Sequence, residues 1–299
     1  MQLGLIGLGR MGAGVAGRLL DRQHAVVGYD TSSARIEELE RAAGSGARSL
    51  PDLVARLAAP RAVWVMVPHG DPTDQTIDTL IPLLTPGDVV IDGGNSRFTD
   101  SMAHAARCQS QGLHFLDVGV SGGVWGQKEG FNLMIGGPRS AFDRVEPIFR
   151  ALAPQGGYAY VGQSGAGHFV KMVHNAIEYA MLQAIGEGFE CLRRSDFDLN
   201  LAQIATLWQQ GAVVRSWLLE LLGRAFEQEG NALERIGDHV DDSGTGRWAI
   251  DYALERGIPV PAISVALYER FDSRISERFA RQVIAALRQQ FGGHAVKNA

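Results

Sequence analysis

The sequence predicts an α/β protein in two parts, a Rossmann-like doubly wound parallel sheet over residues 1–162 and an all-α C-terminal domain over 163–299. Three observations carry this expectation. Short, continuously apolar β-rich runs alternate with helix-length stretches in the first half, and strands apolar on both faces belong to sheets covered by helices on both sides. A glycine-rich turn, Gly7-Leu8-Gly9-Arg10-Met11-Gly12, directly follows the first of those runs. From about Gly165 onward strand signals nearly vanish and helical patterns take over.

Taken in order, Leu3–Ile6 is the first expected strand and Gly12 opens the first helix. Glycine is needed between them because the turn is tight, the backbone must approach a pyrophosphate, and the helix must lie close on the strand. Ala25–Tyr29 is the second strand and ends at Asp30. There a carboxylate can accept the adenosine ribose hydroxyls and repel a 2′-phosphate. The same residue can equally cap the turn into Thr31-Ser32-Ser33, and Arg35 nearby softens the discrimination. NAD is therefore the expected cofactor, with NADP a weaker alternative. Ala62–Val67 is the third strand, and Val67, Pro68 and His69 stand where such folds wrap the cofactor. His69 alone reads more readily as an ordinary loop residue.

Val89–Asp92 and His114–Val118 follow, each running into glycines: Ile91-Asp92-Gly93-Gly94-Asn95-Ser96 and Asp117-Val118-Gly119-Val120-Ser121-Gly122-Gly123. Ligands of open α/β sheets collect at the carboxyl ends of strands. Asn95 offers a donor and an acceptor, and the Ser121 hydroxyl with the exposed amides after it suits a carboxylate or hydroxyl. Either loop alone is as readily a structural turn. Asn132–Ile135 and Tyr158–Val161 complete the strands. Helical patterns then run through 168–194, 200–227, 247–256 and 262–290, broken by Gly244-Thr245-Gly246 and by Pro259 and Pro261.

Composition narrows the function classes. A chain of 299 residues with 45% apolar and 20% charged residues is an ordinary globular protein with room for two cores. A net charge of −5 gives no general attraction to nucleic acid or to an anionic membrane, so any anion must be held locally. Cys108 and Cys191 are isolated, with no metal spacing, which fits a reducing cytoplasm. No signal peptide and no uninterrupted apolar span is expected.

The densest chemistry lies in Lys171-Met-Val-His174-Asn175-Ala-Ile-Glu178-Tyr179. At about 100° per residue, a cation, an imidazole, a carboxamide, a carboxylate and a phenol fall within roughly half of one helix circumference. A solvated helix face is built instead from Glu, Lys, Arg and Gln at pairing distances. This helix is expected to carry a site.

With Gly165-Ala-Gly167-His-Phe-Val ahead of Lys171, and with Gly244-Thr-Gly246-Arg-Trp248, these motifs together resemble the decarboxylating 6-phosphogluconate dehydrogenase family over nearly the whole chain. The likeness is to its short form, within the wider β-hydroxyacid dehydrogenases. The resemblance implies oxidative decarboxylation of 6-phospho-D-gluconate to D-ribulose 5-phosphate. It implies Lys171 as base and Glu178 as acid, with Asn95, Ser121, Gly122, Gly123, His174, Asn175 and Tyr179 lining the substrate. Arg270 matches the family's phosphate-binding arginine, and Arg288 and His294 its tail, which reaches into a neighbouring subunit of a homodimer or homotetramer. The rival for that tail is a frayed helix end. One departure is Ser243, where longer members carry a phosphate-contacting lysine; a hydroxyl donates one hydrogen bond but brings no charge.

Oxidising a secondary alcohol requires a base near the hydroxyl, and lysine serves only when neutral, a form that burial and nearby cations favour. No metal is expected, since the β-carbonyl of the 3-keto acid itself accepts the electrons released with carbon dioxide. Two rival functions remain: a β-hydroxyacid dehydrogenase acting on a small unphosphorylated acid, against which Arg270, Arg288 and His294 argue, and a cofactor-binding sensor, against which Lys171 and Glu178 argue.

Overall fold

The computed structural model describes residues 1–276, 278–292 and 295, with backbone only at 291 and 292. The chain divides into two compact units, Met1–Asn175 and Ala176–Ala299. The division falls inside a helix, thirteen residues beyond the expected end of the sheet domain, because the first turns of that helix pack on the sheet.

The first unit is an eight-stranded sheet. Its strands are β1 (Gln2–Ile6), β2 (Ala25–Tyr29), β3 (Ser45–Gly46), β4 (Ala62–Val65), β5 (Val89–Asp92), β6 (His114–Ser121), β7 (Asn132–Gly136) and β8 (Tyr158–Gly162). They lie in the order β3-β2-β1-β4-β5-β6-β7-β8. The order reverses at β1, which pairs in parallel with β2 on one side and β4 on the other. That reversal opens a crevice at the carboxyl ends of β1 and β4, the place where open α/β sheets bind ligands. The expected strands are all present, and the sheet is parallel except for one pair: β7 runs antiparallel to β6. Only a short 3-10 turn and a four-residue helix separate the two, too little chain for a parallel crossover. The small edge strand β3 was not anticipated; Ser45 and Gly46 have no β pattern of their own and are recruited by pairing with β2.

Helices cover both faces. On one, α1 (Arg10–Asp21) and α7 (Arg139–Leu152) pack over a core that includes Leu5, Val15, Leu19, Trp64, Ile135 and Phe149. The Trp64 and Phe149 rings meet edge-on at 5.9 Å. On the other, Ile77 of α4 (Asp71–Leu80) and Cys108 of α5 (Phe98–Ser110) join Leu53, Val63, Val90 and Phe115. The helices α2 (Ser33–Arg41), α3 (Leu50–Ala55) and α6 (Gly126–Glu129) complete the unit, apart from the start of α8 (Ala166–Arg193).

The second unit holds the rest of α8 with α9 (Leu201–Leu207), α10 (Trp217–Glu229), α11 (Thr245–Glu255), α12 (Pro261–Asp272) and α13 (Phe279–Gly292). Phe189, Leu201, Ala205, Leu219 and Phe226 form one core cluster; Tyr179, Ala266 and Leu267 form another. Two expected helices are each divided. Gly211 adopts φ +77°, and Ser216 caps α10 by accepting the Leu219 amide, so 200–227 becomes α9 and α10. Ser273 turns its hydroxyl onto the Arg270 carbonyl, competing with the helix ladder between α12 and α13. Among the described residues no helix is long and apolar enough to cross a membrane.

Candidate active site

The cofactor turn follows from glycine sterics. Gly7 takes φ +91°, and a Cβ on Gly12 would fall 1.9 Å from the Gly7 carbonyl oxygen. Nothing but glycine lets α1 begin so close beneath the turn. At Gly9 the space is open, with only Arg35 Nη1 at 4.0 Å from a notional Cβ. A phosphate can therefore approach the backbone at the start of α1, where amides point outward. A cavity of ≈ 470 Å³ lies over this crevice. Gly7, Gly9, Arg10, Met11, Gly12, Asp30, Val67, Pro68 and Asn95 all line it, as expected of cofactor residues. Two expected residues do not. Leu8 buries its side chain in the core and contributes its amide elsewhere, while His69 is exposed beyond the cavity.

That Leu8 amide donates to Asp30 Oδ2 at 2.7 Å, and the Ser32 amide donates to Asp30 Oδ1 at 2.8 Å. Arg35 Nη1 lies 3.4 Å from Oδ2. Burial works against the Asp30 charge, but the two amides and Arg35 outweigh it and hold the carboxyl below its ordinary range. Asp30 thus faces the cavity as an anion and braces both neighbouring turns. An open glycine amide, a positive-φ glycine under the turn and a buried acid at the end of β2 fit NAD.

Asn95 sits in the left-handed region, at φ +54°. Its side chain exchanges two hydrogen bonds with Val120, accepting from the amide at 2.9 Å and donating to the carbonyl at 3.2 Å. The residue clamps the β5 turn to β6, leaving one amide hydrogen and one lone pair for a ligand. Beyond it Ser121 Oγ lies 3.5 Å from His174 Nε2, and Gly123 is exposed with open space around its α-carbon. Gly122 holds φ +120°, which reverses the chain after β6.

Lys171 is buried, at 6% exposure. Its Cβ packs so tightly on β6 that a Cβ at Gly119 would fall 2.4 Å from it. Gly167, one turn earlier, rests on the Asp117 and Met134 carbonyls. Lys171 Nζ is 3.4 Å from His174 Nδ1, which is 3.0 Å from Asn175 Oδ1. The structure therefore brings Lys171, His174, Asn175 and Ser121 together. Along α8 the polar Lys171 and Tyr179 are buried while the apolar Ile177 and Met181 are exposed, the reverse of a solvated surface helix. Glu178 is half-buried two turns along the same helix.

In the second unit Tyr179 is buried and its hydroxyl accepts the Ser243 amide at 2.9 Å. The same hydroxyl is 3.2 Å from Ser243 Oγ, which is 2.9 Å from Thr245 Oγ1. Arg270 stacks over the Tyr179 ring at 3.5 Å and donates to the Asp241 carbonyl. The hydroxyls of Tyr179, Ser243 and Thr245 thus gather in one cluster, with the Arg270 guanidinium over the Tyr179 ring. Arg288 is exposed on α13, and His294 lies outside the described residues.

Several contributors were not singled out from sequence. Asp242 binds Arg247 through both oxygens, at 2.9 and 3.0 Å, and Arg274 at 3.0 Å. Arg247, with help from the Gly244 amide and Arg274, outweighs burial and pushes the carboxyl down to about 2. Asp92, which ends β5, and Asp117, its pair within β6, are fully buried; Asp92 organises the turn after β5, and Asp117 accepts amides at the start of α8. An acid followed within two residues by a glycine, in two successive strands, was the available signal.

Two family models match the chain along almost its full length: the NAD binding domain of 6-phosphogluconate dehydrogenase over residues 2–162, and the 6-phosphogluconate dehydrogenase C-terminal domain over residues 167–298. The NAD(+)-dependent, decarboxylating 6-phosphogluconate dehydrogenase of Haloferax volcanii is 48% identical over 297 residues, covering 99% of this chain and 98% of that protein. A putative 6-phosphogluconate dehydrogenase of Bacillus subtilis is 42% identical over 297 residues and 99% of both chains. Among solved structures, Plasmodium falciparum 6-phosphogluconate dehydrogenase superposes with a TM-score of 0.85 at 28% identity, covering 100% of this chain and 66% of that one. Mycobacterium tuberculosis 3-hydroxyisobutyrate dehydrogenase gives 0.72 at 25% identity, covering 96% and 99%.

Proposed function

Because the chain belongs to the 6-phosphogluconate dehydrogenase family, we propose that it oxidises and decarboxylates 6-phospho-D-gluconate to D-ribulose 5-phosphate and carbon dioxide with NAD. The observation that carries this reading is Lys171, buried on β6 within reach of His174 and two turns ahead of Glu178 on one continuous helix. When bound against Gly7, Gly9, Gly12 and Asp30, NAD supplies the hydride acceptor.

The chain's own residues handle the protons. Burial favours the uncharged Lys171 amine, which takes the proton from the substrate C3 hydroxyl as the alcohol is oxidised. The resulting β-keto acid loses carbon dioxide because its carbonyl accepts the bonding electrons as an enolate. Lys171, now an ammonium, donates a hydrogen bond to that developing oxyanion. Glu178 delivers a proton to C1 of the enediol. Asn95, Ser121, Gly122, Gly123, His174 and Asn175 hold the sugar acid. This route uses no metal.

Tyr179 and Arg270 bind the phosphate, with the Ser243 and Thr245 hydroxyls offering donors in place of a lysine charge. This cluster favours a phosphorylated substrate over a small hydroxyacid, which needs no distal cation. The enzyme works in the cytoplasm as a homodimer or homotetramer whose Arg288 and His294 complete a neighbour's phosphate site. The test is cofactor reduction and carbon dioxide release with 6-phosphogluconate set against gluconate and 3-hydroxyisobutyrate, with NAD and with NADP. Turnover confined to 6-phosphogluconate is expected; equal or faster turnover of 3-hydroxyisobutyrate would overturn the reading.

A further inference from the structure

A closed polar network lies behind Lys171, and the chemistry above does not use it. Asp92 and Asp117 stand opposite one another in the β5–β6 register, both fully buried. Asp92 accepts the Gly94 amide at 2.9 Å and the Ser96 hydroxyl at 2.7 Å, so it shapes the turn that carries Asn95. Asp117 accepts the Gly165 and His168 amides at 2.7 and 2.9 Å, so it fixes the N-terminus of α8. Between the two lies the imidazole of His168, 1% exposed. Its Nδ1 is 2.7 Å from Ser101 Oγ and 4.0 Å from Asp92 Oδ2.

The Ser101 hydroxyl lies 2.7 Å from His168 Nδ1 and 3.3 Å from the Arg97 carbonyl oxygen, so this one hydroxyl ties the first turn of α8 to α5 whichever group carries the proton of the shorter contact. The imidazole of His168 thus directs its Nδ1 at Ser101. Its Nε2 is buried without a partner. A residue present for packing alone would leave no bare nitrogen there, since an aliphatic side chain fills such a space without an unpaired polar atom.

We propose that His168 is a positioning residue that locks the first turn of α8 to α5 through the contact of its Nδ1 with Ser101, and so sets Lys171 against the substrate. Lys171 follows His168 by three residues, nearly one helical turn. Rotation or sliding of this turn moves the Lys171 amine directly, and a misplacement of about 1 Å at a reacting group can lower turnover about 100-fold. The pyrophosphate turn at Gly7–Gly12 is not part of the network, so cofactor affinity is separable from this effect.

This inference rests on the function proposed above, and the experiment separates the two. His168→Leu, His168→Asn and His168→Gln are compared with wild type for kcat, KM and NAD affinity by fluorescence. Asparagine places an amide group where Nδ1 lies, whereas glutamine places one near the Nε2 position. Leucine is expected to lower kcat about 10–100-fold with NAD affinity nearly unchanged; asparagine recovers most of the loss and glutamine does not. Ser101→Ala, which removes the hydrogen-bond partner of Nδ1 while leaving the imidazole packed, is expected to lower kcat severalfold even if the His168 variants do not fold. A kcat kept by leucine or by Ser101→Ala, or equal rescue by glutamine and asparagine, overturns the proposal. Absence of wild-type turnover with 6-phosphogluconate would count against the substrate assignment alone, because the variants are compared as ratios on any hydroxyacid that wild type oxidises.

Discussion

At Asp30 one carboxylate braces two turns and also lines the cavity. Its oxygens brace the Leu8 and Ser32 amides while the charge faces the cavity. Asp30→Ala is therefore expected to do two things: raise KM for NAD, because both turns lose an acceptor, and narrow the preference for NAD over NADP, because repulsion of the 2′-phosphate disappears. A wild type that prefers NADP contradicts the assignment. Asp242 makes a different point about charge. Its carboxyl titrates at about 2 when folded, against about 3.9 for an unperturbed aspartate. A depressed carboxyl stabilises the fold above its unfolded value and loses that contribution as pH falls through its folded value. The stabilisation, on the order of 2 kcal/mol, is thus complete at neutral pH and fades between about pH 4 and pH 2. Thermal melts of Asp242→Asn should show a Tm deficit at pH 7 that closes in acid; a deficit constant down to pH 2 would mean that the Arg247 and Arg274 pairs contribute nothing.

Among the elements, α8 carries the largest share of the proposed chemistry, and glycines on the sheet set its height. Gly119→Ala would force a methyl against the Lys171 Cβ, so α8 must lift. The expected result is a loss of kcat approaching that of Lys171→Met, about 10²–10⁴-fold for removal of an acid–base group, with NAD binding kept in both variants. Retained turnover in either would remove Lys171 from its role. The polar stripe of this helix was legible in sequence because residue type and helical period coincide there. The strand ends and the glycine turn were legible because the pattern of apolar runs and glycines follows directly from burial and backbone sterics. What escaped was set by distant partners. β3 exists only through its pairing with β2, the reversed β7 depends on how short the connection is, and the His168 network joins residues from three separate stretches of chain. Cleanly patterned runs also concealed breaks, since Gly211 and Ser273 act through local hydrogen bonding and backbone freedom that an apolar period does not register.

For the whole molecule, the proposed oligomer would give a use to exposed apolar side chains of the second unit. Ile177, Met181 and Leu182 on α8 and Phe279, Ile284 and Leu287 on α13 are each more than a third exposed. A chain ended after Leu287 loses Arg288 and His294 but keeps those apolar positions. It is expected to remain oligomeric by light scattering and to bind NAD normally, with KM for 6-phosphogluconate raised at least tenfold, the loss of about 1.4 kcal/mol of binding. A folded truncation with wild-type KM would show that the tail has no part in phosphate binding. The boundary between Asn175 and Ala176 sets a limit on dissecting this protein. It falls within the continuous hydrogen-bonded ladder of α8, where Ala176 is fully buried. No protease-sensitive hinge is offered at that boundary, so limited digestion should nick loops such as 208–216 or 230–244 first. An engineer exchanging substrate modules between relatives must splice ahead of Ala166 and carry α8 whole, because a seam at the compact-unit boundary would part Lys171 from Glu178.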